Sequence, residues 1–539
     1  MTDLSQLVLK NSTDPYLRAK ERGWQITDAS ALSAPLALEA DVVIVGSGAG
    51  GGTAAETLAK SGLSVVILEA GPLLSSSDFT LEERQAYRDL YQEGTGRATK
   101  DAAIGILQGR SVGGSTTVNW TSSFRTPNET LAYWAEHMGV QGCSAEEMAP
   151  YFDDMVERLG IAEWEMLANP NNELLARAAD KLGFSWKRIP RNVRGCLNLG
   201  YCGFGCPVDA KQSMLVTTIP GALDHKAHLV HRAQVERLII EGNRVGGVEA
   251  IALDPRARKP IGQPITVRGR VTVLCGGGIQ NPGILLRSKA ADPHARIGKR
   301  TFLHPTVLAY GVFADVVDPY YGAPQSIYSD HFQWQQVSDG PMGFKLEVPP
   351  LHPAFAAGFS ALSGEELAEG MRELPNTHAM IALMRDGFHE QSQGGSVELD
   401  KLERPILDYP LTDYFFEGAR RALSTMLEMQ FAVGAKKARP SHRSAPYYRS
   451  WQEAKKAVSE LSFAPGRLTV GSAHVMGGCA MGEDPKRSVT DSYGKFHQMD
   501  DLYVMDGSLF PSSIGANPQL SIYGLTLRNA RKLAERLQV

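Results

Sequence analysis

Histidine is the side chain whose proton affinity lies nearest neutral pH, so it is the first place to look for proton transfer. One of the 13 histidines, His474, sits in Ser472-Ala473-His474-Val475-Met476-Gly477-Gly478-Cys479, a tight glycine-bounded stretch that would make a poor core element. On the residues alone it reads either as a general base or as a structural histidine in a turn. Asn517 is a second polar candidate, directly before Pro518 and a helical stretch from Gln519 to Leu537. Asparagine is favoured at a helix cap and proline at the first helical position, so Asn517 reads as a cap, as a hydrogen-bonding group in a site, or as both. A helix N-terminus there would present a positive potential to any negative charge developing beside it.

A different chemistry is written into Gly46-Ser47-Gly48-Ala49-Gly50-Gly51, which contains G-x-G-x-x-G. Gly46 permits a tight turn, Gly48 lets the backbone approach a pyrophosphate, and Gly51 lets a helix pack closely on a strand. Glu69 follows 23 residues after Gly46, where an acid can accept the hydroxyl hydrogens of a ribose. The same acid opposes a 2′-phosphorylated nucleotide. This fingerprint alone does not choose NAD over FAD, although Glu69-Ala70-Gly71 hints at FAD. Asp506-Gly507 follows the apolar run Leu502 to Met505 and would again bring backbone close to phosphates or a polyol chain.

Other polar groups are less decisive. Cys196, Cys202 and Cys206 form C-x5-C-x3-C, a spacing that matches no common zinc or iron–sulfur run. Buried thiols in a structural loop are the favoured reading, with a redox role or a metal as the alternatives, and no metal ligand is assigned. Cys479 reads as a packing residue. Glu347, Asp386 and Glu390 are acids available for proton relay, but nothing in the sequence brings them to a site. Tyr320, Tyr321, Phe332, Trp334 and Phe344 enrich the middle of the chain in aromatics, for sheet packing or a hydrophobic channel, with packing preferred.

The elements that must position these residues begin with Ala40 to Val45, an apolar β-branched strand ending in the glycine cluster. A helix over Thr53 to Lys60 and a second buried strand over Leu63 to Leu68 complete a βαβ unit. At 539 residues the chain exceeds what one core usually supports. We expect a discontinuous cofactor domain over 38–300 and 465–539, a substrate domain over 301–464, and an N-terminal extension over 1–37. A net charge of −4 with 21% charged residues gives no reason to expect nucleic acid. The first 20 residues lack a secretory signal pattern and no run of about 18 apolar residues occurs. Cytoplasm is the default expectation, with peripheral contact at the inner face of a membrane left open.

Four segments together carry a family resemblance. Gly109-Arg110-Ser111-Val112-Gly113-Gly114-Ser115-Thr116-Thr117-Val118-Asn119 closely resembles the first signature of the glucose–methanol–choline (GMC) oxidoreductases. Gly276-Gly277-Gly278-Ile279-Gln280-Asn281-Pro282 with Leu285-Leu286-Arg287-Ser288 resembles the second, although Lys289 stands where the family usually has glycine. The His474 segment and Asp506-Gly507-Ser508-Leu509-Phe510-Pro511 through Asn517-Pro518 resemble the third and fourth, in family order. His-x-x-Gly-Gly-Cys with Asn-Pro is similar to cholesterol oxidases and long-chain alcohol oxidases, and Cys202-Gly203-Phe204-Gly205-Cys206-Pro207 through Lys211-Gln212-Ser213 is similar to long-chain alcohol oxidases.

The resemblance implies an α/β fold, with a Rossmann-type FAD-binding domain and an interleaved α+β substrate domain built on an antiparallel sheet. It implies that FAD takes a hydride at N5 from an apolar primary or secondary alcohol, with His474 as base and Asn517 at the alcohol oxygen. Arg110, Gly114, Ser115 and Asn119 would hold the cofactor, and Val235 would meet the adenine through its backbone. Val118 stands where members with covalent flavin carry histidine, so non-covalent FAD is expected. Oxygen, a quinone or a cytochrome would take the electrons; no sequence feature fixes the oligomeric state. A redox-neutral lyase of the same fold and a non-catalytic electron-relay module are the rival readings. His304-Pro305 resembles a family segment with no assignable role.

Overall fold

The computed structural model describes residues 13–538, so residues 1–12 of the expected extension lie outside it. Two large sheets organise the chain. In the first, Leu36–Val45 (β1) enters the core at Val42 and stays buried to its end. Ala49–Lys60 (α1) follows the glycine turn, and Val65–Glu69 (β2) returns parallel to β1, with Val42 to Val45 opposite Val65 to Leu68. Burial on both faces explains why these strands are continuous β-branched runs rather than alternating ones. Pro260–Leu274 (β3) pairs in parallel with the other side of β1 and leads into Gly277–Arg287 (α2). The rest of the extension is structured, since Gln25–Asp28 forms an edge strand paired to His228–His231.

The second sheet is mostly antiparallel. Thr306–Val312 (β4), Phe344–Glu347 (β5) and Thr377–Met384 (β6) form its centre, in the order β4, β6, β5. Ile104–Ile106 and Lys187–Arg188 also join this sheet, so it draws strands from outside 301–464. Pro353–Phe359 (α3) and Asp413–Ala432 (α4) cover it. Strand alternation sorts β6 cleanly. Met380, Ala382 and Met384 enter the cluster beneath α4, whereas Ala379, Ile381 and Leu383 enter a smaller cluster that includes Phe355 and Phe359. The chain ends in Gln519–Gln538 (α5), whose first half is buried against α1 and the helix over 145–159. Among the described residues no helix is long and apolar enough to cross a membrane.

Candidate active site

A cavity of about 910 Å³ is lined by residues of both sheets. It gathers Gly46 and Gly48 of the turn, Glu69 and Ala70 after β2, and Arg110, Gly114, Ser115 and Asn119 of the first signature. Val235, Asp506, Gly507, Asn517 and Pro518 line it too. Gly51 lies beneath the turn, where a Cβ would come within 1.8 Å of the Gly46 carbonyl oxygen. Gly48 instead faces open space, and the nearest atom to a Cβ there would be the Gly114 Cα at 3.7 Å. The two glycine turns thus present bare backbone to the cavity beside the start of α1, where a helix dipole and unpaired N–H groups favour phosphate.

The remaining groups at this end fit FAD. The buried Glu69 carboxylate accepts from the Ser47 N–H (3.1 Å), the Ser47 hydroxyl (2.7 Å) and the Gly71 N–H (2.7 Å). A carboxylate has lone pairs beyond these three for ribose hydroxyls. Asp506 accepts from the Gly277 N–H (2.7 Å) and from Asn281 Nδ2 (3.0 Å), and Asn281 Oδ1 accepts from the Gly276 N–H (2.7 Å). The second and fourth signatures are therefore one hydrogen-bonded unit that shapes the cavity wall. The Val235 carbonyl accepts from Arg287 (3.4 Å).

His474 opens onto the same cavity from a turn in which its N–H donates to Ser472 Oγ (3.1 Å). Its Nδ1 lies 3.1 Å from Nδ1 of His304. The Gly515 N–H donates to Nε2 of His304 (3.0 Å), so a neutral His304 carries its proton on Nδ1 and donates it to His474. A neutral His474 then carries its own proton on Nε2. Burial, then the positive charge of Lys345, push its pKa down to about 3. Asn517 does not use its amide to cap α5: Oδ1 accepts from Lys345 Nζ (3.0 Å) and Nδ2 donates to Glu347 (3.2 Å). Beyond this polar pair the cavity continues past Thr306, Leu308, Ile381, Leu383, Phe355 and Phe359.

The GMC oxidoreductase family models match residues 87–306 and 391–526, and an FAD binding domain model matches 41–81. Long-chain-alcohol oxidase FAO4B of Arabidopsis thaliana is 30% identical, the match covering 93% of this chain and 68% of that protein. An uncharacterized GMC-type oxidoreductase of Mycobacterium tuberculosis, Rv0492c, is 29% identical over 97% of this chain and 81% of its own length. The chain belongs to the GMC oxidoreductase family. It is an FAD-dependent oxidoreductase, and its fold is shared by formate oxidase of Aspergillus oryzae RIB40 (TM-score 0.69, 16% identity, covering 94% of this chain and 100% of that one). Pyridoxine 4-oxidase from Mesorbium loti also shares it (TM-score 0.65, 18% identity, covering 91% and 98%).

Several residues of this GMC oxidoreductase differ from their sequence expectation. Of the three acids, Glu347 reaches the site, directly behind Asn517. Asp386 serves at one remove: its carboxylate accepts from the Leu303 N–H (2.9 Å), the His304 N–H (3.1 Å) and the Tyr409 hydroxyl (2.6 Å). These bonds hold His304 at φ 47°, a left-handed backbone angle that few non-glycine residues adopt. Glu390 is exposed and lines a separate, smaller pocket. The aromatics that line the cavity are Tyr91, Trp120, Phe355 and Phe359; Tyr320, Tyr321, Phe332, Trp334 and Phe344 do not line it, in keeping with the packing preferred for them. Phe332 and Phe344 instead stack on each other, with centroids 4.9 Å apart.

The cysteine segment braces the first signature. Lys211, with its pKa pushed to about 8 by burial, donates to the carbonyls of Thr117, Asn119 (3.1 Å) and Cys202 (2.7 Å). All six cysteines are free thiols, and among the described residues no cluster of metal-binding side chains occurs. Lys345 and Gln325 were missed by sequence reasoning. A signal for Lys345 existed: Phe344-Lys345-Leu346-Glu347 places two opposite charges two apart in an apolar strand, hence on one face.

Proposed function

We propose that this enzyme oxidises an apolar primary or secondary alcohol to the aldehyde or ketone in the cavity bounded by His474 and Asn517. That it is an FAD-dependent, alcohol-oxidising enzyme follows from its family and its alcohol-oxidase relatives. The apolar substrate class and the roles of the residues are the proposal. One observation carries it: His474 and Asn517 share a cavity with the FAD-fitting glycine turns, and that cavity continues between the apolar face of β4 and β6 and the side chains of Phe355 and Phe359. FAD, when bound, supplies the acceptor for the hydride. Val118, which offers no nucleophile to the cavity, supports non-covalent binding. Oxygen, a quinone or a cytochrome then reoxidises the enzyme.

In the first reading His474 takes the hydroxyl proton. Its depressed proton affinity keeps it neutral throughout the ordinary pH range. The Gly515 bond to His304 favours a second reading, in which His474 donates Nε2–H to the alcohol oxygen. A ring with so low a proton affinity is also a reluctant acceptor. Two substitutions separate the readings. His474→Ala should keep FAD and lower alcohol-driven flavin reduction by about 100-fold or more in either case. His474→Gln, a donor with no basicity, should match the alanine variant if His474 is a base and retain much of the rate if it is a donor. A His474→Ala enzyme reduced as fast as the parent would remove His474 from the chemistry altogether.

A further inference from the structure

We propose that Lys345 is a positioning residue for this reaction: its buried ammonium, with Glu347, fixes the Asn517 amide so that one N–H of Asn517 faces the cavity. The inference rests on the alcohol-oxidation reading above.

The alternation of β5 places the pair. Phe344 and Leu346 enter the core beneath α4, whereas Lys345 and Glu347 lie opposite Leu383 and Ile381, which line the cavity. The Lys345 side chain is 3% exposed and that of Glu347 0%, with Nζ 2.9 Å from Oε1. Nζ also lies 3.2 Å from the centre of the Phe124 ring and 4.6 Å from that of Tyr328, so ring faces occupy directions that water would otherwise fill. Glu347 Oε2 receives Asn517 Nδ2 and Gln325 Nε2 (2.8 Å), and Gln325 Oε1 accepts from the Ser122 hydroxyl (2.7 Å).

An amide has two chemically opposite ends, and this network distinguishes them. The Asn517 oxygen meets the cation and its NH2 group meets the carboxylate; reversing the amide would set like against like at both contacts. Of the two Nδ2 hydrogens, Glu347 takes one, and the other is left for the cavity that Asn517 lines. A buried ion pair is a poor way to gain stability, because apolar residues of the same volume commonly do as well. Its presence one residue from Phe344 and Leu346 therefore points to the polar group it orients. The titratable or charged groups that act on His474 are His304, from the segment before β4, and Lys345 of β5. Lys345 lowers the proton affinity of both histidines.

The test uses the FAD-bound enzyme, reduced anaerobically in a stopped-flow instrument by an alcohol that bleaches the parent. The double variant Lys345→Met/Glu347→Gln removes both charges and strands neither. It should retain FAD and reduce about 100-fold more slowly at saturating alcohol, with the half-saturating concentration little changed. In an Asn517→Ala background the same two changes should cost less than about threefold more, because the residue they position is gone. The acid limb of the parent's rate profile should move to higher pH in the double variant, since the cation that disfavours imidazolium is lost. A parent-like reduction rate in the double variant, or losses that multiply fully with Asn517→Ala, would overturn the proposal. Should the double variant not hold FAD, Glu347→Gln alone is read in its place: a rate lowered by about tenfold supports the proposal and an unchanged rate overturns it. A parent that no alcohol bleaches fails the functional reading itself, a distinguishable result.

Discussion

Polar side chains in this cavity are held by partners that have little freedom of their own. His474 is aimed by the Ser472 hydroxyl and by His304, whose backbone is pinned in turn by the buried Asp386 carboxylate. Burial pushes the Asp386 pKa up, while four donors, the Tyr409 hydroxyl and the N–H groups of Leu303, His304 and Asp386 itself, oppose that shift. Val118 is the informative apolar residue. It lines the cavity within the first signature and offers no nucleophile for a flavin bond. Acid precipitation of the holoenzyme should therefore release all of the yellow chromophore into the supernatant. Flavin retained in the washed pellet would show a covalent link made by some other residue.

Turns and strands set which of these groups meet, and the glycines of one turn have separable duties. Gly51 packs α1 onto the strand, and an alanine there would meet the Gly46 carbonyl oxygen at 1.8 Å, so Gly51→Ala should not yield a folded FAD protein. Gly48 has φ −70° and an open side toward the cavity, so Gly48→Ala should fold while FAD affinity falls by about tenfold or more. Flavin fluorescence titration measures this, and a Gly48→Ala enzyme with parent-like affinity would contradict the cradle. This unit was legible in the sequence because a tight turn, a close approach and a following helix are local requirements that residue type reveals. Lys345 and His304 were not legible in the same way. They reach Asn517 and His474 only through pairings between segments some 170 residues apart, which no linear spacing encodes. For the aromatics of the middle segment packing is the preferred expectation, which the stacked Phe332 and Phe344 meet; the rings that line the cavity, Tyr91, Trp120, Phe355 and Phe359, carry no linear signal.

At the scale of the whole molecule, a Rossmann-type sheet and an antiparallel sheet close over one shared space, with α5 leading into it from the end of the chain. A cavity of about 910 Å³ is near the upper end of ordinary ligand sites, as expected if it takes both a dinucleotide and a substrate. Glu69, Arg110, Asn119 and Asp506 line its cofactor end, and His474 and Asn517 line it together with the apolar Leu308, Ile381, Leu383, Phe355 and Phe359. The account's central claim is that alcohols deliver a hydride here. The direct test is anaerobic mixing of the FAD-bound enzyme with a panel of primary and secondary alcohols of increasing chain length, followed at the visible absorbance of the oxidised flavin. Bleaching by the more apolar alcohols, reversed on adding oxygen or a quinone, is the predicted result. Flavin that stays oxidised with every alcohol would contradict it and favour a redox-neutral lyase or an electron-relay role for the same fold.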